Sequence, residues 1–317
     1  MRILITGATG FVGGYLAAEL AAHYPQAQLF GTTYGQTSGA LLPDNMPLLE
    51  ADLREPAKIR QALEQSDPDF IFHLAGFASG AGTDAAVIRA ANVDATKLLV
   101  EAVAERGKPC RLHLASTGYV YGTTEPGKPA REDDTLRPEG PYAQSKAEME
   151  TEIAPLASGS LSITVTRAFN HTGPRQTPVF VAPGFARQLA RIERGLDTPV
   201  VRVGNLEAKR DFLDVRDVVR AYRLLLCELE PAPWRVVNVA SGDAVAIQTI
   251  LDTLLGFAKV DVSVELDPAR LRPSDMPQCI GSSALLSSLT GWRTTHSLTD
   301  TLLETLTWWR STGVDIW

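Results

Sequence analysis

Cysteine is scarce in this 317-residue chain: Cys110, Cys227 and Cys279 stand far apart and share no C-x-x-C spacing. That excludes a disulfide framework and a cysteine-based zinc site, and it leaves three core or half-buried thiols. Long hydrophobic runs are missing as well, none approaching the roughly 20 apolar residues that a membrane span requires. Positive charge is in deficit, with 30 Lys and Arg against 37 Asp and Glu and a formal net charge of −7. A general nucleic-acid surface is thereby disfavoured, although local arginines can still gather around an anionic small molecule. What remains is 44% hydrophobic and 21% charged, the balance of a soluble globular protein with a large core. The apolar stretch at the start is expected to be a first strand rather than a secretion signal, and the cytoplasm is the default location.

A strand–helix rhythm fills the first half. Strands are expected at Arg2–Thr6, Gln28–Gly31, Met46–Ala51, Phe70–Leu74, Arg111–Ala115 and Ser162–Arg167. Helices are expected at Gly10–Ala22, Pro56–Glu64, Val87–Glu105 and Tyr142–Ala157. Such alternation implies an α/β fold with a doubly wound parallel sheet covered on both faces. After Arg167 the rhythm breaks into a Pro-rich stretch, with helices expected near Gly184–Arg194, Val215–Cys227, Ile247–Leu255 and Thr299–Trp309. The expected organisation is a dinucleotide-type domain over 1–168, rejoined by about 211–242, and a smaller C-terminal α+β domain over 169–317.

Three local patterns carry chemistry. Gly7, Gly10 and Gly13 fall where the first apolar strand ends and a helix begins, the spacing of a dinucleotide pyrophosphate cradle. Gly7 serves the tight turn, Gly10 opens the helix amides to phosphate, and Gly13 lets the helix approach the sheet; any tight strand–helix turn also uses glycines. Second, Tyr142 and Lys146 at i and i+4 share a helix face, so the ammonium is expected to depress the phenol pKa and make an acid/base of it. Third, Ser116 and Thr117 follow an apolar strand at what would be the ligand-binding carboxyl edge, where they either hold a substrate oxygen or cap a turn.

The order and spacing of these motifs, with His73-Leu74-Ala75-Gly76 and Val120-Tyr121-Gly122 between them, resemble the extended short-chain dehydrogenase/reductase family. The resemblance runs through Arg210–Asp217, which looks like that family's second-domain signature. It implies Thr117 as catalytic hydroxyl, Tyr142 as acid/base and Lys146 as its electrostatic partner. It also implies a dinucleotide site made of Gly7, Gly10, Phe11, Val12, Gly13, Asp52, Leu53, Leu74, Ala75, Gly76, Asn92, Tyr142 and Lys146, and a homodimer formed through Val93–Val103 and Tyr142–Ile153. Within the family, Val203–Asp211, Phe169–Pro174, Phe185–Gln188 and Leu271–Pro277 are most similar to the enzymes that reduce GDP-4-keto-6-deoxy-D-mannose to GDP-D-rhamnose. Asn170, Arg187, Val203, Asn205, Arg210, Arg272 and Asp275 are then the expected sugar-nucleotide contacts. The three arginines are suited by charge to a diphosphate, and Arg187 equally to a surface ion pair. No metal is implied.

Two further absences choose among reactions. Gly118 and Tyr119 stand where a 4,6-dehydratase of this family carries acids, which disfavours dehydration. No Asp or Glu follows the second strand, where an NAD enzyme places one against the adenosine ribose. Thr32, Thr33 and Tyr34 stand there instead, which favours NADPH and leaves NADH possible, since no cation is present at Tyr34 either; Thr32 and Thr33 are the expected phosphate donors. The rival enzyme is an NAD-dependent nucleotide-sugar 4-epimerase, which uses the same Tyr/Lys pair. A non-catalytic dinucleotide-binding sensor or scaffold would show damage at Tyr142 or Lys146, and the chain has none.

Overall fold

The computed structural model describes residues 1–35, 41–78, 82–271 and 276–312. In the first half the strands are β1 (Arg2–Thr6), β2 (Gln28–Thr33), β3 (Leu48–Glu50), β4 (Phe70–His73), β5 (Cys110–Thr117) and β6 (Leu161–Ala168). Between them run α1 (Phe11–His23), α2 (Pro56–Ser66), α3 (Ala85–Arg89), α4 (Ala95–Glu105) and α5 (Gly140–Ile153). The second half holds β7 (Asn170–Thr172), α6 (Val181–Glu193), β8 (Val200–Val203), β9 (Lys209–Asp214), α7 (Val215–Arg223) and β10 (Trp234–Val239). It continues with β11 (Ala244–Ala246), α8 (Ile247–Gly256), β12 (Ser263–Leu266), β13 (Gln278–Cys279), α9 (Ala284–Thr290) and α10 (Leu298–Thr312).

Seven strands form one sheet in the order β10-β6-β5-β4-β1-β2-β3, every pair parallel. The order reverses between β1 and β4, so the crevice outside their carboxyl ends is the ligand-binding position of a doubly wound fold. Side-chain alternation explains the two covered faces. Ile3 and Ile5 pack with Leu16, Leu20, Val218 and Tyr222 under α1 and α7, whereas Leu4 packs with Ile59, Leu99, Val100 and Met149 under α2, α4 and α5. The smaller part packs α6, α8 and α10 around Phe185, Leu189, Ile250, Leu254, Leu306 and Trp309. Its strands are β11-β9-β13 with β7 beside β9, and a separate β12-β8 pair.

Two expected helices are interrupted. The long helix over Val87–Glu105 is broken by a widened π-turn at Ala90–Asp94 between α3 and α4. The extra residue per turn carries Asn92 inward, where its Oδ1 accepts from Phe77 N at 2.8 Å and its Nδ2 donates to Ser145 Oγ at 3.0 Å. A second π-turn, Leu224–Glu228, ends the helix expected over Val215–Cys227. The apolar residues of the helices proposed to meet in a dimer face inward: Val93, Leu99, Val100, Val103, Met149 and Ile153 are all core residues of the chain's own sheet. Their outer surface instead carries ion pairs of Arg89 with Glu148 and of Lys97 with Glu152.

Candidate active site

The Gly-rich turn is built as an anion cradle. Gly7 has φ +69°, and a Cβ on it would sit 2.9 Å from Ala75 N, so no other residue fits the turn unstrained. Helix α1 starts after Gly10 with no side-chain cap and no acidic residue in its first turn. Among the described residues no carboxylate or hydroxyl therefore occupies its leading amides, the condition for binding a phosphate. Gly76 faces the same crevice from the end of β4, with Asn92 Oδ1 only 2.5 Å from where its Cβ would stand. These features fit a dinucleotide.

Other members of the expected cofactor set divide. Phe11, Val12, Leu74 and Ala75 are half-buried at the same edge, and Phe11 stacks on His171 with a 7° interplanar angle. Leu53 is a core residue beneath it. Thr32 corrects an expectation: it is 2% exposed, and its hydroxyl accepts from Gly7 N at 3.3 Å, so it braces the glycine turn instead of facing a phosphate. Thr33 Oγ1 lies 3.4 Å from Thr9 Oγ1. Asp52 is clamped by Arg54, whose Nε and Nη2 reach its carboxylate at 2.9 and 2.6 Å and hold its pKa below the usual range. Arg54 Nη2 also donates to Tyr34 OH at 3.0 Å.

On the other side of the crevice, β5 delivers Thr117 and the first two turns of α5 deliver Tyr142 and Lys146. Thr117 Oγ1 accepts from Tyr119 N at 3.3 Å, so it caps the following turn, and it lies close enough to the Tyr142 phenol to lower its pKa. Burial pushes the phenol up to about 12 against the lowering effect of Thr117. The expected depression by Lys146 is absent because that ammonium is turned to the Ala115 carbonyl, 2.8 Å away. Burial also pulls Lys146 down to about 8, with Glu150 acting the other way. Tyr142 is thus protonated at neutral pH.

Buried hydrogen bonds fix these groups. Asn92 holds Ser145, whose hydroxyl donates to the Tyr142 carbonyl at 2.8 Å and so locks the first turn of α5. His73 bridges Thr6 and Thr96 at 2.7 and 2.9 Å, and burial pulls it down to about 3, so it is a neutral strut. Ser116 donates to Glu150 at 2.5 Å, and Glu150 pairs with Arg167 at 2.7 Å deep under the site. None of these partners of Ser116 was legible beforehand, since each depends on strands distant in sequence coming into register.

The expected substrate residues are spread over several places. Val203 and Asn205 line one cavity of about 610 Å³ with Glu207, Val264, Leu266 and Leu271; neither Thr117 nor Tyr142 borders it. Asn170 is half-buried on β7, beside Phe212 of β9. Arg210 is buried, its Nη1 donating to the Met276 and Lys209 carbonyls, with the guanidinium carbon 6.0 Å from the centre of the Tyr119 ring. Arg187 lies 5.8 Å over Trp309 of the small core. Arg272 and Asp275 fall outside the described residues. Asp211, from the same signature, is a structural tether: its carboxylate accepts from Ser241 N and Oγ, Gly242 N and Gly281 N.

The model of the GDP-mannose 4,6 dehydratase family matches residues 4–305. The protein is an extended short-chain dehydrogenase/reductase of the GDP-mannose 4,6 dehydratase family. The chain is 35% identical to GDP-6-deoxy-D-mannose reductase of Pseudomonas aeruginosa over 98% of its own length and 97% of the relative's. It superposes on the solved structure of RMD from Pseudomonas aeruginosa complexed with NADPH with a TM-score of 0.85 and 32% identity, over 99% of this chain and 100% of that one. It also resembles UDP-glucose 4-epimerase of Thermus thermophilus in complex with NAD, with a TM-score of 0.86 and 27% identity, over 99% of this chain and all of that one. The family members are NAD(P)-dependent enzymes, and this short-chain dehydrogenase/reductase keeps the Tyr142/Lys146 pair in place. Among the described residues no helix is long and apolar enough to cross a membrane, and no cluster of His, Cys, Asp and Glu is suited to hold a metal ion.

Proposed function

We propose that the protein reduces the C4 ketone of GDP-4-keto-6-deoxy-D-mannose with NADPH, giving GDP-D-rhamnose. The observation that carries this reading is the phenol of Tyr142, kept protonated by burial and set beside Thr117 at the sheet edge facing the Gly-rich turn. The 35% identity to a GDP-6-deoxy-D-mannose reductase supports the same substrate.

When bound in the crevice, a reduced nicotinamide would supply the hydride for the ketone carbon. Tyr142 gives its proton to the developing alkoxide, and Thr117 donates a hydrogen bond to the same oxygen. Lys146, charged below about pH 8, offsets the phenolate left behind. Gly7, Gly10 and Gly13 hold the pyrophosphate, and Asn92 and Ser145 keep the tyrosine turn rigid. The guanosine is assigned to the cavity at Val203 and Asn205, and Arg210 to the diphosphate side of the cleft, with Asn170, Arg187, Arg272 and Asp275 completing the proposed substrate set. Gly118 favours reduction over dehydration, because no acidic side chain extends from that position. The protein is further proposed to act in the cytoplasm and as a homodimer, a reading that rests on the family resemblance. Light scattering at micromolar concentration tests the dimer.

The test of the activity is the decay of NADPH absorbance with and without GDP-4-keto-6-deoxy-D-mannose. Stoichiometric oxidation dependent on the sugar is expected. No oxidation, with the sugar instead epimerised in the presence of NAD, would replace this reading with the epimerase one.

A further inference from the structure

The β2 edge lacks the cation that a 2′-phosphate would need, and the fold brings one there from another segment. Strands β2 and β3 end side by side, with Thr33 in register with Glu50 and Ala51 N donating to Thr33 O at 2.9 Å. Tyr34 and Arg54 leave these two strand ends and meet: Arg54 Nη2 bonds the Tyr34 hydroxyl at 3.0 Å, and the guanidinium carbon stands 5.5 Å from the ring centre. Asp52 grips Nε and Nη2 of the same guanidinium, while Nη1 has no hydrogen-bond partner among the described residues. The fork is thus held at one side and open at the other, and the side chain remains 54% exposed. In a doubly wound fold the end of β2 is where the adenosine ribose lies.

We propose that Arg54, oriented by Asp52 and Tyr34, is the residue that selects a ribose 2′-phosphate over a 2′-hydroxyl at this site. The inference rests on the NADPH reading above and names the group that enforces it. Three features argue for it. Arg54 neutralises the Asp52 carboxylate, which would otherwise repel a phosphate dianion. Its outward Nη1 offers charge-assisted donors already fixed in direction, so little side-chain entropy is lost on binding. Tyr34, whose oxygen accepts from Arg54, keeps its own hydroxyl proton for a phosphate oxygen. Thr32, in contrast, is engaged with Gly7 and does not compete for this role.

Equilibrium binding tests this without any turnover: NADPH and NADH are each titrated calorimetrically into wild type, Arg54→Gln, Arg54→Lys and Tyr34→Phe. Wild type is expected to prefer NADPH. Arg54→Gln should weaken NADPH on the order of 10- to 100-fold, the range of a lost charge-assisted contact, and leave NADH within about 2-fold. Arg54→Lys should restore part of the loss, and Tyr34→Phe should cost NADPH binding a smaller factor. Equal weakening of both cofactors in Arg54→Gln would overturn the proposal and reduce Arg54 to a brace for Asp52. An unchanged NADPH constant would place the 2′-phosphate elsewhere while leaving the NADPH reading intact. A wild type that binds both cofactors alike would overturn the NADPH reading together with this one.

Discussion

The ring of Phe169 stands where a side chain on Gly118 would project, with three of its carbons 2.7 Å from the position of a Cβ. The same ring lies against Gly281 on its other side and stacks with Tyr121. In this chain, then, the position that follows Thr117 is closed by packing as well as by residue type.

Gly118→Asp should therefore fail to create a dehydratase and should destabilise the fold. Displacing a packed aromatic ring costs roughly 1–3 kcal/mol, as other overpacked cores do. Urea unfolding measures the loss, and 4,6-dehydration of GDP-mannose measures the activity. An unaltered midpoint would mean that Phe169 moves aside freely.

Tyr142→Phe should leave NADPH affinity nearly intact and lower turnover by roughly 10²–10⁴-fold, the range for a missing general acid. Thr117→Val should cost less, since it removes a hydrogen bond to the oxygen and no proton source. Steady-state kinetics with separate cofactor titrations distinguish the two, and a Tyr142→Phe enzyme within a few-fold of wild type would displace Tyr142 from its role.

The pH dependence follows from Lys146. Its folded pKa is depressed to about 8, so the ammonium is present below that value and lost as pH rises through it. kcat/KM for reduction, which reports the free enzyme, should be level near pH 7 and decline above about 8. Stability moves oppositely: between about pH 8 and the ordinary lysine value of 10.5, the unfolded chain binds more protons at this residue, so the lysine's contribution to folding improves with rising pH. Lys146→Arg should abolish the alkaline decline in kcat/KM, because a guanidinium stays charged.

Glu150 and Arg167 form an ion pair with side chains only 6% and 7% exposed. Glu150→Gln leaves Arg167 without its counter-charge and should cost about 3–5 kcal/mol of stability. Because Glu150 also raises the Lys146 pKa, the alkaline decline should move to lower pH in this variant. Thermal unfolding and the pH profile read the two effects separately.

Much of this was legible in the residues. A glycine turn after an apolar strand, alternating strands and helices, and Tyr142 four residues before Lys146 are local patterns, and local patterns fix local geometry. The doubly wound parallel sheet and the reductase-type family followed from them and agree with the structure and its relatives, whereas the order of the strands was not read from the sequence. What was illegible depends on distant contacts. The apolar stripes of α4 and α5 looked available for a partner, yet the chain's own sheet consumes them. The π-turn that aims Asn92 has no signature in propensity, because its reason is a bond to Phe77. A lysine one turn from a tyrosine suggested a depressed phenol, whereas burial decided the opposite. Arg54 escaped notice because its relation to Tyr34 exists only across two strand ends.

Hydride delivery to C4 of the keto sugar is open to a test by isotope transfer. NADPH deuterated at the transferable C4 position of the nicotinamide is incubated with GDP-4-keto-6-deoxy-D-mannose, and the product is examined by NMR. The expected product is a GDP-6-deoxyhexose with deuterium at sugar C4 and the rhamnose configuration there. A product without deuterium at C4, or deuterium found at C5 or C6, would contradict it.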